Sequence, residues 1–208
     1  KDGAVIPVEA SVSSVAWEGR DYVVVVSRDI AERKLTEESI QRGVARLRAL
    51  HDVDLAITSS FDHRVAFNVL LGCALTHLEV DAADVLIQSP HAPVLEFAAG
   101  QGFRRRVPRD LRVRVGEGLA GRAAHERRTV IVDDLERPGG LVGRGALFRE
   151  EGFLAYVGAP LLGRGRVLGV LEVFLRRRFE PPPEWIEFLE ALAVQAAIAL
   201  DNASLVEG

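Results

Sequence analysis

Methionine is absent from this 208-residue chain, cysteine occurs once, and aromatic residues make up only 6%. Each scarcity closes off a class of protein. The lone Cys73 cannot form an intrachain disulfide, so no disulfide framework holds the fold, and a reducing, cytoplasmic setting is expected. One thiol supplies no cysteine pair for a zinc site, and His51, His63, His77, His91 and His125 show no His-x-x-x-His spacing. No apolar run reaches the ~20 residues that span a bilayer, and no signal peptide opens the chain, so no direct membrane insertion is expected. A net charge of −4 excludes the global basic field that draws in nucleic acid. Lysine is nearly missing too: apart from Lys1 and Lys34 every basic residue is arginine, which GC-rich codon usage explains. Because the chain opens on Lys1 without any methionine, its natural start is expected to lie elsewhere.

What remains is ordinary for a globular protein, with 48% hydrophobic and 27% charged residues. Polar and apolar residues alternate from Val5 to Ser13, Glu18-Gly19-Arg20 supplies a turn, and Tyr22 to Val26 forms a return strand. This hairpin has an apolar face and nothing of its own to cover it, and isolated hairpins are marginal in water. Residues 31–58 read as one helix, with Glu37, Glu38, Arg42, Arg46 and Arg48 on the wet side. Its apolar positions, Ile40, Val44, Leu47, Leu50, Val53 and Ile57, suit either a core stripe or a coiled-coil seam. A second helix covers 62–78, carrying Cys73 as a small core residue. The pattern then turns to β: Val85–Ile87 with Leu95–Phe97 around a Pro-containing turn, Leu111–Val115, a strand at Thr129–Val132 expected to be buried, and Leu154–Leu162 with Val167–Arg176. Short helices are expected from Gly116 to about Arg127 and near Ala146–Glu151, and a long one from Glu184 to Val206.

Five short words stand in order along this second part. They are Val115-Gly-Glu-Gly-Leu-Ala-Gly121, Ile131-Val-Asp-Asp134, Gly158-Ala-Pro-Leu-Leu162, Leu168-Gly-Val-Leu-Glu-Val173 and Leu192-Ala-Val-Gln-Ala-Ala-Ile-Ala-Leu-Asp-Asn-Ala203. Together they resemble a GAF domain over about residues 55–206. Asp29-Ile-Ala-Glu-Arg-Lys34, directly after a strand, resembles the C-terminal end of a PAS domain, with alanine where that motif often has threonine. The resemblance implies an α+β fold: a GAF/PAS-like central antiparallel sheet flanked by N- and C-terminal helices, with an N-terminal β-hairpin remnant of a PAS domain. It implies residues 1–30 as that partial PAS domain, 31–58 as a linker or signalling helix, and 59–208 as the GAF domain. The glycines of the first word allow a tight strand-to-helix turn and close helix–sheet packing.

Enzyme chemistry finds little support in the residues. GAF-type sulfoxide reductases use several cysteines, and bilin-binding GAF domains a cysteine beside the pocket; Cys73 matches neither pattern. The Asn-Lys-Phe-Asp-Glu pattern of cyclic-GMP-binding GAF domains is absent. Asp133 and Asp134 end a strand near the expected pocket mouth, where paired carboxylates bind a cation or act as acid and base, or simply cap a turn. A ligand pocket is expected between the sheet and the 134–153 segment, with Phe103, Leu119, Phe148, Phe153 and Tyr156 as walls or as plain core. Neither cofactor nor ligand can be named. Trp185, Leu189, Leu192, Ala196, Ala199 and Ala203 alternate steps of four and three, the 3.5-residue repeat of a two-stranded coil. With Leu47 and Leu50 they are expected to build a parallel homodimer on residues 35–57 and 185–206. The reading for function is a non-enzymatic sensory module, relaying a small-molecule or upstream PAS signal to an output domain: a histidine kinase, a diguanylate cyclase or an HD-GYP phosphodiesterase. A ligand-free dimerising spacer and a small-molecule enzyme on the same fold are the rivals.

Overall fold

A computed structural model describes residues 6–18, 20–59, 63–136 and 144–204. They divide into two compact units, Lys1–Ala45 and Arg46–Gly208. In the first, β1 (Val8–Trp17) and β2 (Arg20–Asp29) pair antiparallel in full register, and helix α1 (Ala31–Ser59) begins there. The helix starts where it does because Asp29 Oδ1 accepts the Ala31 N–H at 2.9 Å, satisfying a donor that has no partner within the helix. The hairpin leaves Val8, Val12, Val15 and Val23 to Val26 exposed.

The second unit is built on a six-stranded antiparallel sheet in the order β5-β4-β3-β8-β7-β6. The strands are β3 (Ala82–Gln88), β4 (Val94–Gln101), β5 (Arg112–Arg114), β6 (Val130–Val132), β7 (Ala155–Gly163) and β8 (Arg166–Leu175). Alternation along the central strands sends side chains to opposite faces. Ala83, Val85, Val157, Leu171 and Val173 join one core with α2 (His63–His77) and α5 (Pro183–Ser204). Ala82, Leu86, Tyr156, Val170 and Phe174 join a second core with α3 (Gly118–Glu126) and α4 (Gly145–Glu151). The expected fold class stands: an antiparallel sheet flanked by helices. No helix among the described residues is long and apolar enough to cross a membrane.

Two expectations are corrected. The strand at β6 is an edge, not a buried strand, and Ile131 there is 45% exposed. Its shortness explains a proline inside the sheet: β6 pairs with β7 only at Tyr156–Gly158, so Pro160 meets no donor-seeking neighbour on that side. The second correction concerns the coiled-coil seam. Trp185, Leu189, Leu192, Ala196 and Ala199 are packed inside the first core, with Trp185 Nε1 donating to the Leu78 carbonyl at 3.0 Å, so the sheet itself takes the apolar stripe of α5. Leu50 is half-buried against the same core, Ala203 is half-buried, and Leu47 is 69% exposed. The outward apolar residues of α5 are instead Val194 and Ile198.

A core role and an interface role separate by concentration dependence. Leu192→Ala is expected to lower the unfolding free energy by about 2–5 kcal/mol. In urea titrations the loss should be the same in dilute and concentrated protein; a loss confined to dilute samples would return Leu192 to an interface.

Candidate functional site

The loop between β5 and α3 folds tightly because of its glycines. Gly116 and Gly118 both have positive φ, and a Cβ on Gly121 would lie 2.1 Å from the Arg114 carbonyl oxygen. Only glycine lets α3 come this close to the end of β5. The first turn of α3 therefore sits beside β5 and faces α4, and a cavity of about 540 Å³ opens between them. Its walls include Val94 and Val113 from the sheet, Leu119 and Ala120 from α3, and Arg144 and Phe148 at the start of α4. Arg112 and Arg114 stand at the rim, paired with Glu96 at 3.1 Å and Glu117 at 3.7 Å.

Behind Arg144 lies a buried polar cluster. Asp84 on β3 and Glu172 on β8 are direct cross-strand partners on the second-core face, and both are fully buried. Arg144 Nη1 donates to Asp84 Oδ2 at 3.2 Å, and its Nη2 donates to Glu172 Oε2. The guanidinium also lies over the Phe148 ring, 5.3 Å from its centroid. Tyr156 on β7 brings its hydroxyl across Gly158, where an added Cβ would meet it at 2.1 Å; Gly158 is itself the cross-strand partner of Glu172. Burial first, then the charge of Glu172, push the Asp84 carboxyl well above the usual carboxylate range despite Arg144. The same two causes push the Tyr156 phenol up.

A second buried acid fastens the other end of α4. Glu151 accepts the Arg104 and Arg105 N–H groups at 2.9 and 2.7 Å and the Arg176 Nη2 at 2.8 Å. Arg176 also reaches Asp81 and stacks over Phe153, 5.0 Å from the ring centroid. Burial alone would raise the Glu151 pKa, but these donors outweigh it and hold the carboxyl below its ordinary value.

The expected wall residues divide into lining and backing. Leu119 and Phe148 line the cavity. Phe103, Phe153 and Tyr156 pack with Phe148 around Phe174, at centroid distances of 4.9–5.6 Å from that ring, and form the aromatic core behind it. Asp133 and Asp134 do not converge on the cavity. Asp133 is exposed; Asp134 closes the strand-end turn, accepting the Glu136 N–H at 3.0 Å and pairing with Arg178 at 3.1 Å. The Gly-rich stretch expected to bound the pocket falls largely in 137–143, outside the described residues. Asp84, Arg144 and Glu172 were not singled out in the sequence. The available signal was a single acid inside each of two apolar strand patterns, Asp84 in Ala82–Ile87 and Glu172 in Leu168–Val173, on the face where an apolar residue belongs.

The two buried acids have opposite pH signatures. Asp84, with its folded pKa raised, contributes stability that is present below the ordinary carboxylate range and declines as pH rises toward the folded value. Glu151, with its folded pKa lowered, contributes stability that is present above its unfolded pKa and is lost as pH falls through the folded one. In urea titrations from acid to mildly alkaline pH, Asp84→Asn should flatten the decline on the alkaline side and Glu151→Gln the loss on the acid side. The reverse assignment would refute both environments.

No curated protein matches the chain. Among solved structures, the GAF domain of a phosphoenolpyruvate-protein phosphotransferase from Coxiella burnetii superposes with a TM-score of 0.70 at 20% identity, covering 79% of this chain and 97% of that one. The free methionine-R-sulfoxide reductase from Neisseria meningitidis, solved with its substrate, gives 0.67 at 16% identity, covering 80% and 93%. Residues 122 to 287 of a methyl-accepting chemotaxis protein give 0.64 at 19% identity, covering 75% and 99%. At these identities the likeness is one of fold. The GAF domain family model matches residues 42–201, well over half of the sequence, and with it the sheet, α2 to α5 and the cavity between them: the chain belongs to the GAF domain family.

Proposed function

We propose that this chain is a non-enzymatic sensory and regulatory module of a bacterial signalling protein, in which the cavity beside α3 and α4 holds a small molecule. The cavity itself is the observation that carries this reading. Its volume of about 540 Å³ lies within the range of small-molecule sites, and its lining combines apolar walls with a few convergent polar groups. Thiol chemistry of the reductase kind is disfavoured by the position of Cys73, which packs against the first core, on the sheet face opposite the cavity's. Burial first, and then Asp52, push that thiol up to about 11, where it is a poor nucleophile at neutral pH.

In this reading residues 1–30 are the last hairpin of a PAS domain, 31–58 the signalling helix and 59–208 the GAF domain. The exposed valines on both strands of the hairpin support missing partner strands. The helices continue the relay as a homodimer, joined by outward residues such as Leu47, Val194 and Ile198, and pass a bias between two arrangements to a linked histidine kinase, diguanylate cyclase or HD-GYP phosphodiesterase. The wording Glu151-Gly-Phe-Leu-Ala-Tyr156 and Leu171-Glu-Val-Phe-Leu175 is similar to GAF domains ahead of HD-GYP outputs. A ligand with equal affinity for both arrangements could not signal.

Two measurements test the proposal. Light scattering at micromolar concentration should give twice the chain mass, and Val194→Glu with Ile198→Glu should halve it without loss of helicity; a one-chain mass for the parent would defeat the dimer. A thermal-shift screen against a metabolite panel should find a compound that adds about 2.7 kcal/mol of stability at 100 times its dissociation constant. A panel without any stabilising compound would favour a ligand-free spacer.

A further inference from the structure

The connection from β4 into β5 concentrates positive charge in a chain that is acidic as a whole. From Arg104 to Arg114 it holds six arginines, at 104, 105, 106, 109, 112 and 114, against one acid, Asp110, while the net charge of the chain is −4. All six are exposed. Three are neutralised locally: Arg105 pairs with Glu150 at 3.3 Å, Arg112 with Glu96 at 3.1 Å and Arg114 with Glu117 at 3.7 Å. The guanidinium groups of Arg104, Arg106 and Arg109 have no partner among the described residues. Crowded like charges without counter-charges destabilise a compact state by self-repulsion, and an outside acid relieves it. The loop that carries them is also held still. Glu151 accepts the Arg104 and Arg105 N–H groups, Val107 is buried, and the Leu111 N–H donates to the Pro108 carbonyl at 3.2 Å. A fixed backbone presents these side chains without the ordering cost that a floppy basic tail meets on binding.

The loop leads into β5, the outer strand of the sheet. The Leu111 carbonyl accepts the Phe97 N–H at 3.2 Å, and the Val115 N–H donates to the Pro93 carbonyl at 2.9 Å, so residues 111, 113 and 115 turn their backbone groups toward β4. Alternation turns the backbone of Arg112 and Arg114 outward. The Arg114 carbonyl accepts the Glu117 N–H at 3.0 Å, which leaves the N–H and carbonyl of Arg112 and the N–H of Arg114 without a strand partner among the described residues. Unpaired edge groups of this kind are a template for another extended chain. A nucleic acid or a lipid surface has no main chain to pair there, and a continuous array of phosphates would also meet Glu96, Glu117 and Glu150. The segment exposes no aromatic ring for stacking bases and no large apolar side chain for insertion into lipid, since Val107 is buried and Leu111 half-buried.

We infer that the 104–114 face docks an extended, carboxylate-rich segment of a partner protein, which pairs its main chain with the outer edge of β5 at Arg112 and its acids with Arg104, Arg106 and Arg109. The arginine forks suit carboxylates, and the edge suits an extended backbone. The docking face stands independently of what the cavity holds.

The test titrates the 208-residue chain into fluorescently labelled probes: a peptide of alternating glutamate and alanine, its glutamine–alanine counterpart, a short duplex DNA, and vesicles of phosphatidylcholine with phosphatidylserine. The glutamate peptide should bind at least about tenfold more tightly than its glutamine counterpart, and several-fold less tightly when salt is raised from about 50 to about 500 mM. Replacing Arg104, Arg106 and Arg109 together by glutamine should cost about tenfold, the worth of three exposed ion pairs. Arg166→Gln, an exposed arginine at the start of β8, should change nothing. Methylating alternate amide nitrogens of the glutamate peptide should weaken it several-fold, because a methylated nitrogen cannot donate to the edge of β5. Absence of peptide binding, or equal binding by the triple variant and the parent, overturns the docking face. Tighter binding of the duplex or the vesicles than of the peptide overturns the acidic segment as its partner, and indifference to methylation overturns the seating on β5.

Discussion

The feature on which the second core turns is the pairing of β3 with β8, which sets two carboxylates directly opposite each other in a place without water. Asp84 and Glu172 are cross-strand partners with no exposed surface. Like charges so placed repel, and each also loses its hydration, so the arrangement persists only with a cation or a proton between them. Arg144 supplies the cation, and the raised pKa of Asp84 supplies the proton. Neighbouring features follow from holding that guanidinium in place. The start of α4 is fixed to the sheet, the Phe148 ring is fixed beside Arg144, and Gly158 stays bare so that the Tyr156 hydroxyl can lie across it.

Holding α4 by buried charge at both ends has an energetic logic. The Glu151 end is a saturated network, with two backbone N–H groups and Arg176 around one carboxylate, and it behaves as a structural rivet. The Arg144 end is a single guanidinium shared between two acids. A satisfied buried network rigidifies the elements that it joins. The C-terminus of α4 is therefore held by more partners than its start. Among the described residues the other sheet face is apolar, packed against α2 and α5.

Most of the fold was legible because it rests on local rules. Alternation at Leu111–Val115 and short apolar runs at Val85–Ile87 and Leu168–Val173 mark strands, and Pro183 marks the start of the last helix. The five words in order pointed to the GAF family that the match over residues 42–201 then established. The dimer seam misled for a physical reason: a 3.5-residue repeat of Leu and Ala serves equally well against a sheet of the same subunit or a helix of another, and periodicity carries no information on which partner is nearer. The aromatic wall was half legible for a similar reason. Phe148 and Phe153 are both apolar and only five positions apart, but one lines the cavity and the other backs it.

The sequence by itself determined the α+β class, the order of strands and helices, the family, and the exclusion of disulfide frameworks, because these depend on composition and on spacings within a few residues. Only the tertiary structure decided that Asp84, Arg144, Glu172 and Tyr156 meet, that Asp134 closes a turn instead of joining them, and that α5 turns Leu189 and Leu192 inward. Those outcomes depend on strand pairing between residues as far apart as Asp84 and Glu172. Register at that range is set by the whole sheet closing at once, not by any segment of the chain.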